Sequence, residues 1–204
     1  YGLSEDDVQI NPLPYFPLKK NKTGEIFYGF KKGNKITGPV FSVLFSQHKG
    51  LSATVKYTQK YSNSYATGDH VLVDGMKGSL NFRDGKWQAF RGEKEVELRI
   101  ELKKAEEIKT INLSFLHAVY SWIFQPEAVE VLISKNGKEY QTLEIKKLSK
   151  ASDLDKTEIK KLHFTVNQEI RYIKIKINAV EKCPEWHTGS GKNAWLFMDE
   201  IELF

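Results

Sequence analysis

The sequence predicts an all-β sandwich, and three observations predict it. Apolar and polar residues alternate with period two through segment after segment. Gly, Asn and Pro punctuate those segments, and helical patterning is almost absent. The chain has 204 residues, 40% hydrophobic and 12% aromatic, enough apolar mass for one large core. Its longest apolar run, residues 194–198, is far short of the roughly 20 residues a membrane-spanning helix needs.

The elements follow in order. Residues 1–20 place Glu5, Asp6 and Asp7 before Pro12, Pro14 and Pro17, and read as an extended lead-in. Residues 25–30 and 40–45 read as two short strands, split by Lys32-Gly33-Asn34 and Thr37-Gly38-Pro39; two strands are too few to bury a core alone. Val96, Leu98, Ile100 and Leu102 then alternate with Glu97, Arg99 and Glu101. Ile111, Leu113 and Phe115 repeat the pattern, and so do Val129, Val131 and Ile133. Lys135-Asn136-Gly137-Lys138 offers Asn-Gly for a type I′ turn, joining that last strand to residues 140–145 in a hairpin. Leu162, Phe164 and Val166, then Ile173, Ile175 and Ile177, give two more strands, and residues 195–204 the last. Residues 152–160 are expected to form a single helical turn capped by Ser152.

Charge excludes one class of partner. The net charge is +5, but only four of the 31 basic residues are arginines (Arg83, Arg91, Arg99 and Arg171), and the lysines are interleaved with glutamates. That is a solvated surface, not a nucleic-acid interface. Catalytic motifs are missing too: no GxSxG, HExxH, P-loop or GxGxxG follows a strand. The five histidines show no i, i+4 pair, and the lone Cys183 can form no internal disulfide. His163 should face solvent and His117 should be a satisfied structural histidine. Asp199 and Glu200 are adjacent on a strand and expected on opposite faces, which rules out a glycosidase acid pair. One of them remains open to cation ligation.

Two features carry possible chemistry. Residues 72–79 contain Asp74, Gly75 and Ser79, which on spacing alone read more readily as an ordinary Asp-Gly turn than as a calcium loop. Aromatic residues crowd the loops: Tyr61 and Tyr65, Trp87 and Phe90, Tyr120 and Trp122, and Trp186 beside His187. Such rings either plug the ends of a core or stack on sugar C–H faces. Trp195 is read as core.

Residues 46–204 resemble a discoidin, or coagulation factor 5/8 type C, domain: a galactose-binding-like jelly-roll β-sandwich. They are most similar to family 32 carbohydrate-binding modules at the C-terminus of bacterial β-hexosaminidases (chitobiases). The residues that carry the likeness are His70-Val71-Leu72-Val73-Asp74-Gly75, Trp87-Gln88-Ala89-Phe90 and VEVLISKNGK at 129–138. Arg171-Tyr172-Ile173-Lys174-Ile175, Pro184-Glu185-Trp186-His187 and Ala194-Trp195-Leu196-Phe197-Met198-Asp199-Glu200-Ile201 complete it. Residues 1–45 are a separate β-rich segment, whose stretch from Gly24 to Val40 resembles the tail of the small β-module preceding such domains.

The resemblance implies a non-catalytic glycan-binding module of a secreted or envelope-exposed bacterial glycoside hydrolase, binding galactose or N-acetylhexosamine sugars. It implies a structural Ca2+ on the Leu72 carbonyl, the Asp74 carboxylate, the Met76 carbonyl, Ser79 and the Glu200 carboxylate. It also places Trp87, Arg91, Trp122, Trp186 and His187 in the loops that hold sugar. The alternative is a structural or protein-interaction sandwich packed on the parent's catalytic domain; neither a nucleic acid nor a membrane is expected as partner.

Overall fold

The computed structural model describes residues 23–32, 35–152 and 156–204. The proline-rich lead-in, the apolar pair Tyr15 and Phe16, and Gly33-Asn34 lie outside the described residues. Strands β1 (Thr23–Lys32) and β2 (Lys35–Ser46) form an antiparallel two-stranded sheet. Seven more strands follow: β3 (Thr54–Tyr57), β4 (Gln88–Arg91), β5 (Glu95–His117), β6 (Ala128–Ser134), β7 (Gln141–Lys147), β8 (Glu158–Asn178) and β9 (Trp195–Leu203). Short 3-10 turns at Val71–Val73 and Val119–Ser121 are the helical elements among the described residues. No helix there is long and apolar enough to cross a membrane.

The seven strands make one antiparallel path, β4-β9-β5-β8-β6-β7, with β3 on β5. The sandwich comes from β5 and β8, which are expected from sequence as four strands and are instead two long ones. Their ladder breaks between Glu101 and Glu106 and again near Thr110. Before the break, β5 pairs with β3 and with the second half of β8, which also pairs with β6. After it, β5 pairs with β9 and with the first half of β8. Each strand therefore bends and serves both sheets. The apolar parity residues meet between them: Val96, Leu98, Ile100, Ile111, Leu113 and Phe115 pack with Val131, Ile173, Met198 and Ile201 in one core.

Two local expectations are corrected. Glu158, Ile159 and Lys160 open β8 rather than completing a helical turn after Ser152, and residues 153–155 lie outside the described set. At 135–138, only Gly137 has positive φ (72°), so no type I′ turn forms. The Asn136 carboxamide instead accepts the N–H groups of Lys138 (2.9 Å) and Glu139 (3.0 Å), a side-chain-capped turn that holds a longer loop between Ile133 and Gln141.

β2 runs directly into the sandwich. Ser46 N–H donates to the Gly75 carbonyl (2.8 Å), Lys77 N–H to Leu44 (2.8 Å), and Lys49 N–H to Leu203 (2.8 Å).

Candidate functional site

One end of the sandwich gathers aromatic residues from four segments. Trp195, first in β9, is the register partner of Arg91, last in β4. Its N–H donates to the Trp122 carbonyl at 2.8 Å, and its own carbonyl accepts Phe124 N–H at 2.9 Å. Trp122 ends the 119–121 turn at φ 64°, a strained region for an aromatic residue. The strain is held by bonds on both sides, since Trp122 N–H also donates to Val119. Across from it, Gly189 approaches so closely that a Cβ there would fall 2.8 Å from the indole. Trp122 and Trp195 are half-buried, Trp186 is 42% exposed and Tyr120 86% exposed.

Two cations lie on these rings. The Arg91 guanidinium carbon sits 5.4 Å from the Trp195 ring centroid, and Lys192 Nζ sits 5.4 Å from that of Trp122. Both are within cation–π range. Tyr65 extends the surface, packing edge-on against Trp195 at 5.3 Å and lying 6.0 Å from Phe82.

Of the five residues expected to hold sugar, the structure brings Arg91, Trp122 and Trp186 to this end. Trp87 lies beneath this surface, in the cluster against which Tyr65, Phe82 and Trp195 pack. It is fully buried, its indole N–H donates to the Ser79 carbonyl (3.2 Å), and it packs toward Phe197 in a secondary core. Its strand neighbours Ala89 and Phe90 are buried as well, so alternation there gave no outward position. His187 is present but inward, at 7% exposure. Its Nε2 must carry the proton, because it donates to the Val119 carbonyl (2.9 Å); Nδ1 accepts Gly189 N–H (2.9 Å). Both nitrogens are spent on fixing the loops. Trp195 and Lys192 are missed as site residues by sequence reading: alternation with Phe197 makes Trp195 look like core.

The rim formed by the end of β2 and residues 72–79 carries the acidic residues. Asp199 and Glu200 are both fully buried, against the expectation of opposite faces. The reason is a bulge: Leu113 faces Ile201 while Phe115 faces Met198, so the two acids oppose Ser114 alone. Asp199 accepts Gly78 N–H at 3.0 Å, and burial pushes its carboxyl up to about 6. Glu200 meets His48 Nε2 at 2.7 Å and Gly75 N–H at 3.0 Å. Burial, then the charges of Asp74 and Asp199, raise Glu200 to about 10, and burial lowers His48 to about 4. His48 Nδ1 accepts Gly50 N–H, so Nε2 carries the imidazole proton and donates to Glu200. Glu202 takes Lys77 Nζ at 2.8 Å and Ser46 Oγ at 2.5 Å.

Of the calcium set, Asp74 and Glu200 converge closely enough for each to perturb the other's ionisation. Ser79 gives its N–H and hydroxyl to Asp84 Oδ2, each at 2.8 Å. Among the described residues no three His, Cys, Asp or Glu side chains form a metal-holding group. A cation here would therefore use two carboxylates and loop carbonyls, a hard-oxygen set that calcium accepts.

The remaining readings divide simply. His163 is exposed and bonded to Asn112 (2.7 Å), and His117 is buried and accepts Gln125 N–H (3.1 Å). Cys183 is buried, which raises its thiol and disfavours the thiolate.

Fold and surface together define a class, the galactose-binding-like β-sandwich with aromatic loops at one end. Within it, the chain belongs to the F5/8 type C domain family, whose model matches residues 53–199. Among solved structures it is similar to a Streptococcus pneumoniae fucose binding module, at 18% identity over 77% of this chain and 94% of that one, TM-score 0.50. It is also similar to CpGH89CBM32-4 of Clostridium perfringens, in complex with glcNAc-alpha-1,4-galactose, at 12% identity over 76% and 92% of the two chains, TM-score 0.48. A chitosan-binding module from a Paenibacillus sp. IK-5 chitosanase/glucanase matches at 12% identity over 78% and 98%, TM-score 0.48. At such identities the likeness concerns the fold. No curated protein sequence matches the chain.

Proposed function

We propose that this chain is a non-catalytic carbohydrate-binding module whose contact surface is the sandwich end bearing Trp122, Trp186, Tyr120 and Arg91. The observation that carries the reading is exposure: Trp186 is 42% and Tyr120 86% solvent-accessible, on loops fixed from behind by His187 and Trp195. Exposed rings on a rigid platform suit sugar C–H faces, with Arg91 as a donor. Family membership supports this, as does the fold shared with a fucose binding module. Binding is shallow, and the sugars are of the galactose or N-acetylhexosamine type. An NMR titration with galactose, N-acetylglucosamine and fucose should move the amides of 119–124 and 183–195, and Trp186→Ala should abolish the shifts. No shift at high millimolar sugar would retire the proposal.

The wider reading follows the sequence resemblance. Residues 1–45 are the tail of a small β-module or a linker, and 46–204 the binding domain. The parent is a bacterial β-hexosaminidase of chitobiase type working outside the cytoplasm, and its catalytic domain is a partner. Calcium belongs to the same proposal: Asp74 and Glu200 would hold it with the carbonyls of Leu72, Met76 and Ser79, and it would fix loop geometry without touching sugar. Added calcium should then raise Tm and a chelator lower it; an unchanged Tm removes the cation from the account.

A second reading, a structural sandwich packed on the catalytic domain, is favoured by one observation. β2 continues without a break into bonds at Leu44, Ser46 and Lys49, so the preceding hairpin is not on a loose tether. Small-angle scattering of the whole parent protein tests it: a single rigid envelope supports packing, and an ensemble of separations opposes it.

A further inference from the structure

We infer that the sugar bound at this surface is anionic, a hexose unit carrying a carboxylate or a sulfate; the inference rests on the carbohydrate-binding reading above. Its basis is the state of the cations. Arg91 lies over Trp195, Lys192 over Trp122, and Arg83 over Phe82, each 5.4 Å from the ring centroid. The three rings belong to one surface: Tyr65 lies 6.0 Å from Phe82 and 5.3 Å from Trp195, and Trp195 is bonded through its backbone to Trp122.

Three other cations on the sandwich pair with carboxylates, as in Arg99–Glu97, Arg171–Glu101 and Lys77–Glu202. The cations on the aromatic surface do not. Among the described residues, the charged ends of Arg83, Arg91 and Lys192 have an aromatic ring as their only partner, and the nearby acids Glu93, Glu181 and Glu185 form no ion pair with them. All three cations are exposed.

This arrangement discriminates between ligands. A neutral sugar that stacks on Trp122 or Trp195 displaces a cation from the ring and returns only a hydrogen bond to a neutral hydroxyl. An anionic sugar offers the displaced cation a charge-assisted hydrogen bond while its C–H face takes the ring. The guanidinium of Arg91 presents a planar fork matched to carboxylate or sulfate oxygens. The net charge of +5 helps bring such a ligand in.

The test is a titration of the full chain, by NMR and calorimetry, with galactose, galacturonate and galactose 6-sulfate. One or both anions should bind at least about tenfold more tightly than galactose, with affinity falling as salt is added. Comparing the two anions separates carboxylate from sulfate recognition. K192Q, at an exposed position, should erase most of the preference while leaving Tm and galactose binding nearly unchanged, whereas R91Q should weaken all three sugars and the anions most. If galactose binds as well as either anion, the inference fails and the carbohydrate reading stands. If none of the three sugars shifts the loop amides, both fail. A preference that survives in R91Q and K192Q also overturns the inference, since other groups must then read the charge.

Discussion

His48 Nε2 lies 2.7 Å from Glu200 Oε1, and neither side chain is exposed to solvent. The contact joins the segment after β2 to β9 across 152 positions of sequence. His48 also accepts Gly50 N–H through Nδ1 (3.1 Å), so one imidazole closes a loop and caps a buried carboxyl.

His48→Ala should therefore destabilise the sandwich by about 2–3 kcal/mol, because Glu200 would be left buried with a partner removed. Urea unfolding of the variant measures this. The double variant with Glu200→Leu should recover part of the loss. If His48→Ala alone is neutral, the pair contributes nothing.

Lys77 and Glu202 form the second link to the same rim, at 2.8 Å and with both side chains nearly buried. Lys77→Met removes the ammonium but not Glu202, and should cost about 3 kcal/mol. Because Ser46 also bonds Glu202, a Ser46→Ala change in the same background should show coupling rather than additive losses. Strict additivity in a double-mutant cycle would contradict a shared network.

The tryptophans should separate into two kinds. Trp87→Ala empties a fully buried site and should cost about 3–5 kcal/mol. Trp186→Ala removes a ring that is 42% exposed and should cost about 1 kcal/mol or less, with its effect falling on sugar binding instead. Chemical denaturation of the two variants side by side checks the division.

Gly78 is required by Trp87. A Cβ on it would lie 2.3 Å from the indole, closer than any real contact, and the neighbour is a rigid ring with no room to turn. Gly78→Ala should lose about 2–3 kcal/mol by overpacking and shift the tryptophan fluorescence. A wild-type Tm would mean that the loop can move aside.

Much of the fold could be read from the sequence because alternation reports local geometry. Val96 to Leu102 and Ile173 to Ile177 bury the residues their parity selects. Parity does not report where a strand stops, so β5 and β8 each appear as two pieces. It also fails where a bulge shifts the phase, as at Asp199 and Glu200. For the candidate surface, residue type identified Trp122 and Trp186 but could not separate them from Trp87. The difference is which ring the second core encloses, and that is decided by Gly78, Phe197 and Ala89, far apart in sequence. Arg91 over Trp195 is a cross-strand relation, invisible until register is known.

The bends in β5 and β8 also bear on how the molecule comes apart. Because each of these strands is woven into both leaves, the leaves cannot part without tearing a ladder that runs through their shared strands. No fragment holding only one leaf contains a complete set of edges, so proteolysis should yield either the intact sandwich or small peptides. Assembly is constrained in the same way: β5 must find β8 across forty intervening residues and β9 across nearly eighty. Contacts of such long range make folding slow and all-or-none. The aromatic end should therefore stay in shape until the whole domain is lost.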